Sequence, residues 1–184
     1  MHESGKQFMT IETLNRADPK AFIAMMSDMV ENSPWIAESL VHSRPFHSIG
    51  RIWYTIMTII LRAQVETQIS LYRSHPELAG VEAISETLSA HSTREQGRLG
   101  LMEMSESEAS RLSELNSRYR AKFDYPCIVA LCHQENIHSI FKTICERLEN
   151  DPVLERVVTL FEVGEIVRGR LVVRISEGAR LDCR

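Results

Sequence analysis

The stretch SIGRIWYTIMTIILRAQVETQISLYRSHPEL, residues 48–78, decides the fold class. Ile52, Ile56, Ile59, Ile60 and Ala63 recur at helical spacing, and the stripe drifts on to Ile69 and Tyr72. That period lays apolar side chains along one face of an α-helix. It predicts one long helix from about Ser48 to Arg73. His75-Pro76 ends that helix, because the residue before a proline avoids the α region.

The same period recurs on both sides. Upstream, Asp18-Pro19 reads as an N-cap followed by proline at the first helical position, ahead of Phe22, Ile23, Met26, Met29 and Val30. Ser33-Pro34 stops that helix and starts another with Trp35, Ile36 and Leu40, and Arg44-Pro45-Phe46 breaks the chain again. Downstream, Glu82 to Leu88 suits a short helix and Ser92-Thr93-Arg94-Glu95 begins another. Ser105 and Glu108 form a capping-box pattern ahead of Leu112, Leu115, Tyr119 and Phe123. Ile137, Ile140, Phe141, Ile144 and Leu148 follow at helical spacing. Asp151-Pro152 opens a last helix carrying Leu154, Val157, Val158 and Phe161. These stripes read as core. Only Cys127 to Leu131 and Leu171 to Ile175 look β-like, too little for a sheet. The expected fold is all-α: one domain over residues 1–184, a bundle of about eight helices with no substantial sheet, and a loose tail over 176–184.

A length of 184 residues fits one domain at about 150 residues each. The chain is 43% hydrophobic and 25% charged, which excludes a disordered chain, and 8 glycines and 6 prolines exclude low-complexity classes. A net charge of −4 does not favour a nucleic-acid partner. The longest apolar run, Ile52 to Leu61, falls far short of the ~20 residues that span a bilayer. The N-terminus has no apolar signal core, so a cytoplasmic location is expected. The four cysteines, Cys127, Cys132, Cys145 and Cys183, form no CxxC pair. Together with His133 and His138 they match no standard zinc spacing, and they read as reduced thiols with no metal.

No dinucleotide, P-loop, HExxH or GxSxG pattern is present, so an enzyme here works with side chains alone. His75 is the acid/base candidate, since imidazole both takes and gives a proton near neutrality. The bland alternative is a histidine that complements the dipole at a helix end. Ser92 and Glu95 have helix-cap spacing. They also suit a site in which Glu95 orients His75 while Ser92 and Gln96 contact a ligand. Arg168-Gly169-Arg170 offers an arginine fork for a planar carbonyl, carboxylate or ureido group, or simply two solvated arginines near a helix end.

In order and spacing, these segments resemble the 2-oxo-4-hydroxy-4-carboxy-5-ureidoimidazoline (OHCU) decarboxylase family, which acts last in converting urate to (S)-allantoin. The resemblance runs from about Ile11 to Ile175. It rests on Ser33-Pro34-Trp35-Ile36-Ala37-Glu38, Arg44-Pro45-Phe46 and His75-Pro76-Glu77-Leu78-Ala79. It continues through Ser92-Thr93-Arg94-Glu95-Gln96, Leu115-Asn116-Ser117-Arg118-Tyr119 with Phe123, and Ile166 to Leu171. It implies an all-helical, cofactor-independent homodimer acting on a small ureidoimidazoline. In it, His75 and Glu95 are catalytic. Pro76, Ser92, Gln96, the Cys127-Ile128-Val129 segment and Arg170 bind substrate, with Arg168 as the fallback arginine. The chain departs from the family's Phe-Gly-Phe-Pro-Phe pattern, reading Phe123-Asp124-Tyr125-Pro126-Cys127. Asp124 adds a negative charge near an anionic substrate if it faces inward. Two other readings keep the scaffold: a dimeric ureide-binding homologue without turnover, and another small-acid decarboxylase.

Overall fold

The computed structural model of the chain describes residues 9–78, 101 and 104–176. The helices expected from Glu82 and Ser92 lie outside those residues, as does the tail from 177 onward. The all-α expectation holds. Eight α-helices occur among the described residues: α1 Ile11–Arg16, α2 Pro19–Met26, α3 Pro34–Leu40, α4 Ile49–Arg62, α5 Val65–Arg73, α6 Glu106–Phe123, α7 Ile137–Leu148 and α8 Pro152–Arg174. The β structure there is a two-residue parallel pairing, Met9 with Ile175 and Thr10 with Ser176. Leu171 to Arg174, read as β-like from sequence, instead finish α8.

The chain divides into two compact units, Met1–Ala63 with Val167–Arg184, and Gln64–Ile166. The expected Ser48–Arg73 helix is broken at this boundary. Ala63 and Gln64 are both extended, with ψ of 154° and 152°, so α4 and α5 are separate helices. Neither residue is a helix breaker. The break serves a change of packing unit, which periodicity does not encode.

In the first unit, Asp18 accepts from the Ala21 amide at 3.0 Å ahead of Pro19, as its sequence implied. Ile52, Ile56 and Ile60 of α4 are buried. Asn15 pins the break at Arg44-Pro45-Phe46, which has a cis Arg44-Pro45 bond. Its side chain donates to the Phe46 carbonyl at 2.7 Å and accepts from the Phe46 amide at 2.8 Å.

In the second unit, the Ser105–Glu108 capping box forms and starts α6. Leu112, Leu115, Tyr119 and Phe123 are buried along one face, as expected. Asp151 caps α8 by accepting from the amides of Val153 and Leu154. The face that α8 buries overturns the sequence reading. Leu154, Val157 and Phe161 are exposed, Phe161 by 68%, whereas Glu155 and Thr159 are fully buried. The polar pair is inside because Arg147 of α7 is there to meet it.

Candidate active site

His75 follows the end of α5 and is 7% exposed. Its amide donates to the Tyr72 carbonyl at 3.1 Å, and its ring Nδ1 lies 2.9 Å from the Leu71 carbonyl oxygen. A carbonyl only accepts, so Nδ1 carries the proton. The basic lone pair of the neutral ring is then on Nε2. Nδ1 serves a carbonyl at the helix end, as the structural account of this histidine expected.

The residues after His75 are held from α6. Arg120 donates to Glu77 at 2.9 Å, and Asn116 donates from Nδ2 to the Leu78 carbonyl at 3.0 Å. Pro76, between these anchors, is half-buried. On the other side, Arg73 donates through Nε to the Asp124 carbonyl at 3.0 Å and pairs with the Asp124 carboxylate. Asp124 caps α6 in the left-handed region, at φ 68°, where glycine is the usual occupant. Its carboxylate is on the surface and neutralised by Arg73, which removes the charge problem that sequence alone raised.

Cys127, Ile128 and Val129 are all buried. A hydrogen bond from Arg147 holds the Ile128 carbonyl, and Glu162 accepts from the Ala130 amide at 2.7 Å. The only cis bond among the described residues is Arg44-Pro45. In a trans peptide the N–H points opposite to the C=O. Arg147 therefore turns the Val129 N–H away from itself, as a directed donor. Arg147 is fixed in turn. Its Nε donates to Glu155 at 2.8 Å, and its Nη2 reaches the Tyr119 hydroxyl at 3.0 Å and Thr159 at 3.1 Å. Tyr119 also donates to Glu155. Burial pushes the Tyr119 hydroxyl above its usual range, so it remains a donor. Burial likewise pushes the Cys127 thiol up to about 12. Near neutral pH this buried thiol is uncharged and no nucleophile.

Arg170 lies in the other unit. It is 4% exposed and pairs with the buried Glu31 at 2.9 Å. Arg168 is exposed. The solvated-arginine reading thus fits Arg168 and fails for Arg170. Ser92, Glu95 and Gln96 lie outside the described residues. Sequence reasoning missed Glu31, Asn116, Arg147, Glu155 and Glu162. Asn116 had a signal, since it falls within the quoted Leu115–Tyr119 motif. The charged residues had none, because the partner that fixes each one lies in another segment of the chain.

Residues 15–172 match the OHCU decarboxylase family. The chain is 30% identical over 176 residues to the 2-oxo-4-hydroxy-4-carboxy-5-ureidoimidazoline decarboxylase of Haloferax volcanii, covering 96% of this chain and 99% of that protein. It is 31% identical over 169 residues to the Bos taurus protein of the same name, covering 92% and 99%. It is 31% identical to the uric acid degradation bifunctional protein of Bacillus sp. (strain TB-90), covering 92% of this chain and 33% of that protein. The chain thus spans a third of the bifunctional relative and nearly all of the other two. A crystal structure of (S)-allantoin synthase aligns with a TM-score of 0.73 at 20% identity, over 91% of this chain and 54% of the other. One of OHCU decarboxylase in the presence of (S)-allantoin aligns with a TM-score of 0.64 at 17% identity, over 85% and 97%. At those identities the structures establish the fold, and the sequence matches establish the kinship: the chain belongs to the OHCU decarboxylase family of carboxy-lyases.

Proposed function

We propose that this chain converts 2-oxo-4-hydroxy-4-carboxy-5-ureidoimidazoline to (S)-allantoin, with His75 as the proton-transfer residue. The observation that carries this reading is the His75 Nδ1 bond to the Leu71 carbonyl, which leaves Nε2 as the base. The substrate bears a carboxylate and a hydroxyl on one ring carbon, beside a ring C=N carbon that carries the ureido group. The bond to CO2 breaks, and its electron pair forms a C=C bond between those two carbons. The C=N pair moves onto nitrogen, which takes a proton. The hydroxyl then gives up its proton and becomes a carbonyl, while the neighbouring carbon gains a proton. The ring is its own electron sink, so the chemistry needs no added cofactor.

His75 takes the hydroxyl proton and returns one to carbon from a single face, which sets the S configuration. Glu95 is the second catalytic group beside the substrate, while Ser92, Gln96 and Pro76 bind it. The Val129 N–H, beside Cys127 and Ile128, donates to a ring oxygen that gains charge. Arg170 binds the ureido or ring carbonyl. A cation gripping the departing carboxylate would stabilise the ground state and slow the step. The buried Glu31 partner supports that assignment, because it offsets the arginine's charge.

The family match from 15 to 172 crosses both compact units, which supports treating them as one domain. A homodimer is supported by the row of exposed apolar side chains on α8, Val153, Leu154, Val157 and Phe161. Sedimentation at micromolar concentration then gives a dimer mass, and a monomer mass would remove this part of the reading.

The test of activity adds purified protein to freshly made substrate and follows the circular dichroism of emerging (S)-allantoin. Acceleration over buffer is expected. Its absence overturns the decarboxylase reading in favour of a binding protein. His75→Ala is expected to lower kcat by about a hundredfold or more. Normal turnover in that variant removes His75 from the mechanism.

A further inference from the structure

We propose that Asn116 is a positioning residue for His75, acting through the backbone of the turn that joins them; this rests on the role given to His75 above. Asn116 is 3% exposed, and its Nδ2 donates to the Leu78 carbonyl at 3.0 Å. That bond fixes the amide orientation, since the carbonyl needs a donor. Its other side-chain atom, Oδ1, is then a buried acceptor with no hydrogen-bond partner. A leucine would fill a similar volume without burying such an atom. An interior position that keeps an amide despite an orphan acceptor keeps it for what the other end does.

The nitrogen end closes a short loop of chain. His75 begins it, tied by its ring to Leu71 and by its amide to Tyr72. Leu78 ends it, tied to Asn116. Glu77, between them, meets Arg120, which lies on the same face of α6 as Asn116. The Arg120–Glu77 pair is partly solvated, with the arginine side chain 51% exposed, and exposed ion pairs hold weakly. The buried Asn116 bond is therefore the tether. Without it, Pro76 to Leu78 shift, and the Nε2 position shifts with them. A misplacement of about 1 Å costs on the order of a hundredfold in rate.

The test uses the full chain with Asn116→Leu and, as a control that weakens the core without touching the turn, Ile144→Val. Asn116→Leu is expected to lower kcat by about tenfold or more, with KM within about twofold and a melting temperature close to the parent's. In a His75→Ala background it is expected to have no further effect, because the tether acts through that ring. An unchanged kcat overturns the proposal, as does an equal loss in Ile144→Val or a full extra loss on top of His75→Ala. Should Asn116→Leu fail to fold, Asn116→Asp takes its place. It loses the donor when ionised and regains it when protonated, so its kcat relative to the parent rises as pH falls. A flat ratio overturns the proposal.

Nitrogen-15 NMR of the imidazole protons reads the tether without any turnover. The His75 Nδ1–H resonance, assigned by its loss in His75→Gln, is expected to broaden or vanish in Asn116→Leu. Its persistence there overturns the tether. A parent protein that shows the resonance yet does not turn over substrate overturns only the functional reading.

Discussion

The turn from Ser74 to Leu78 and the loop from Asp124 to Ala130 both follow a helix and both contain a proline, yet they are held by opposite means. The first presents a side chain. Its ring is tied directly to Leu71, its backbone is tethered at Leu78 by Asn116 of α6, and Arg120 of α6 pairs with the Glu77 side chain. The second presents a peptide. Its carbonyl at Ile128 and amide at Ala130 are gripped by Arg147 and Glu162, and the Val129 N–H is aimed by the planarity of the bond between. A ring is aimed here with buried neutral hydrogen bonds and one partly solvated ion pair beside them. A peptide plane is aimed here with buried charge. The second method is the more costly to break, because a buried charge is left unpaired.

The largest expected effect breaks that contrast at its charged end. Arg147→Met leaves Glu155 buried without its cation, at a cost of about 3–5 kcal/mol measured by denaturant unfolding. A loss below about 1 kcal/mol would mean the loop does not depend on this network.

The next effect is alkaline. Cys127 stays protonated in the folded protein to about pH 12, against a reference value of 9.0, while the unfolded chain ionises near that reference. A raised folded value means the stabilisation is complete below pH 9 and disappears as pH rises toward 12. The stability at stake is about 4 kcal/mol at most. Buried Tyr72 and Tyr119, also shifted upward by burial, add to the same limb at higher pH. Melting curves against pH should fall from about pH 9, and Cys127→Ala should flatten the onset. An identical slope in that variant would assign the limb to the tyrosines.

The smallest effect sharpens the comparison where the two segments meet. Asp124→Gly relieves a left-handed backbone, a gain of about 1 kcal/mol, and gives up an exposed pair with Arg73 worth about 0.5 kcal/mol. A slightly higher melting temperature and an unchanged KM are expected. A lower melting temperature would show that Arg73 bridges turn and loop more strongly than surface pairs usually do.

Local rules made much of this legible in the sequence. The caps at Asp18, Ser105 and Asp151 act through nearby backbone and appear as read. His75 could be found because Pro76 marks the helix end beside it. Two features resisted, for a shared reason. Ala63-Gln64 carries no breaker, and α8 turns its apolar Val157 and Phe161 outward while burying Glu155. Both outcomes depend on distant residues, a change of packing unit in one case and Arg147 in the other. A sequence window sees neither. Glu155 resembles any solvated helix glutamate until its partner is placed 2.6 Å away. Arg170 could be singled out by its motif, but its burial against Glu31 could not.

The shielded thiol of Cys127 also gives the protein an internal clock. Cys132 and Cys145 are exposed, whereas Cys127 is 2% exposed and un-ionised near neutrality. A thiol reagent will therefore label the exposed pair at once and wait for Cys127 until the loop beside Tyr119 opens. The delay, followed by mass spectrometry, measures how often the loop around Cys127 opens, read from a thiol the chain already carries.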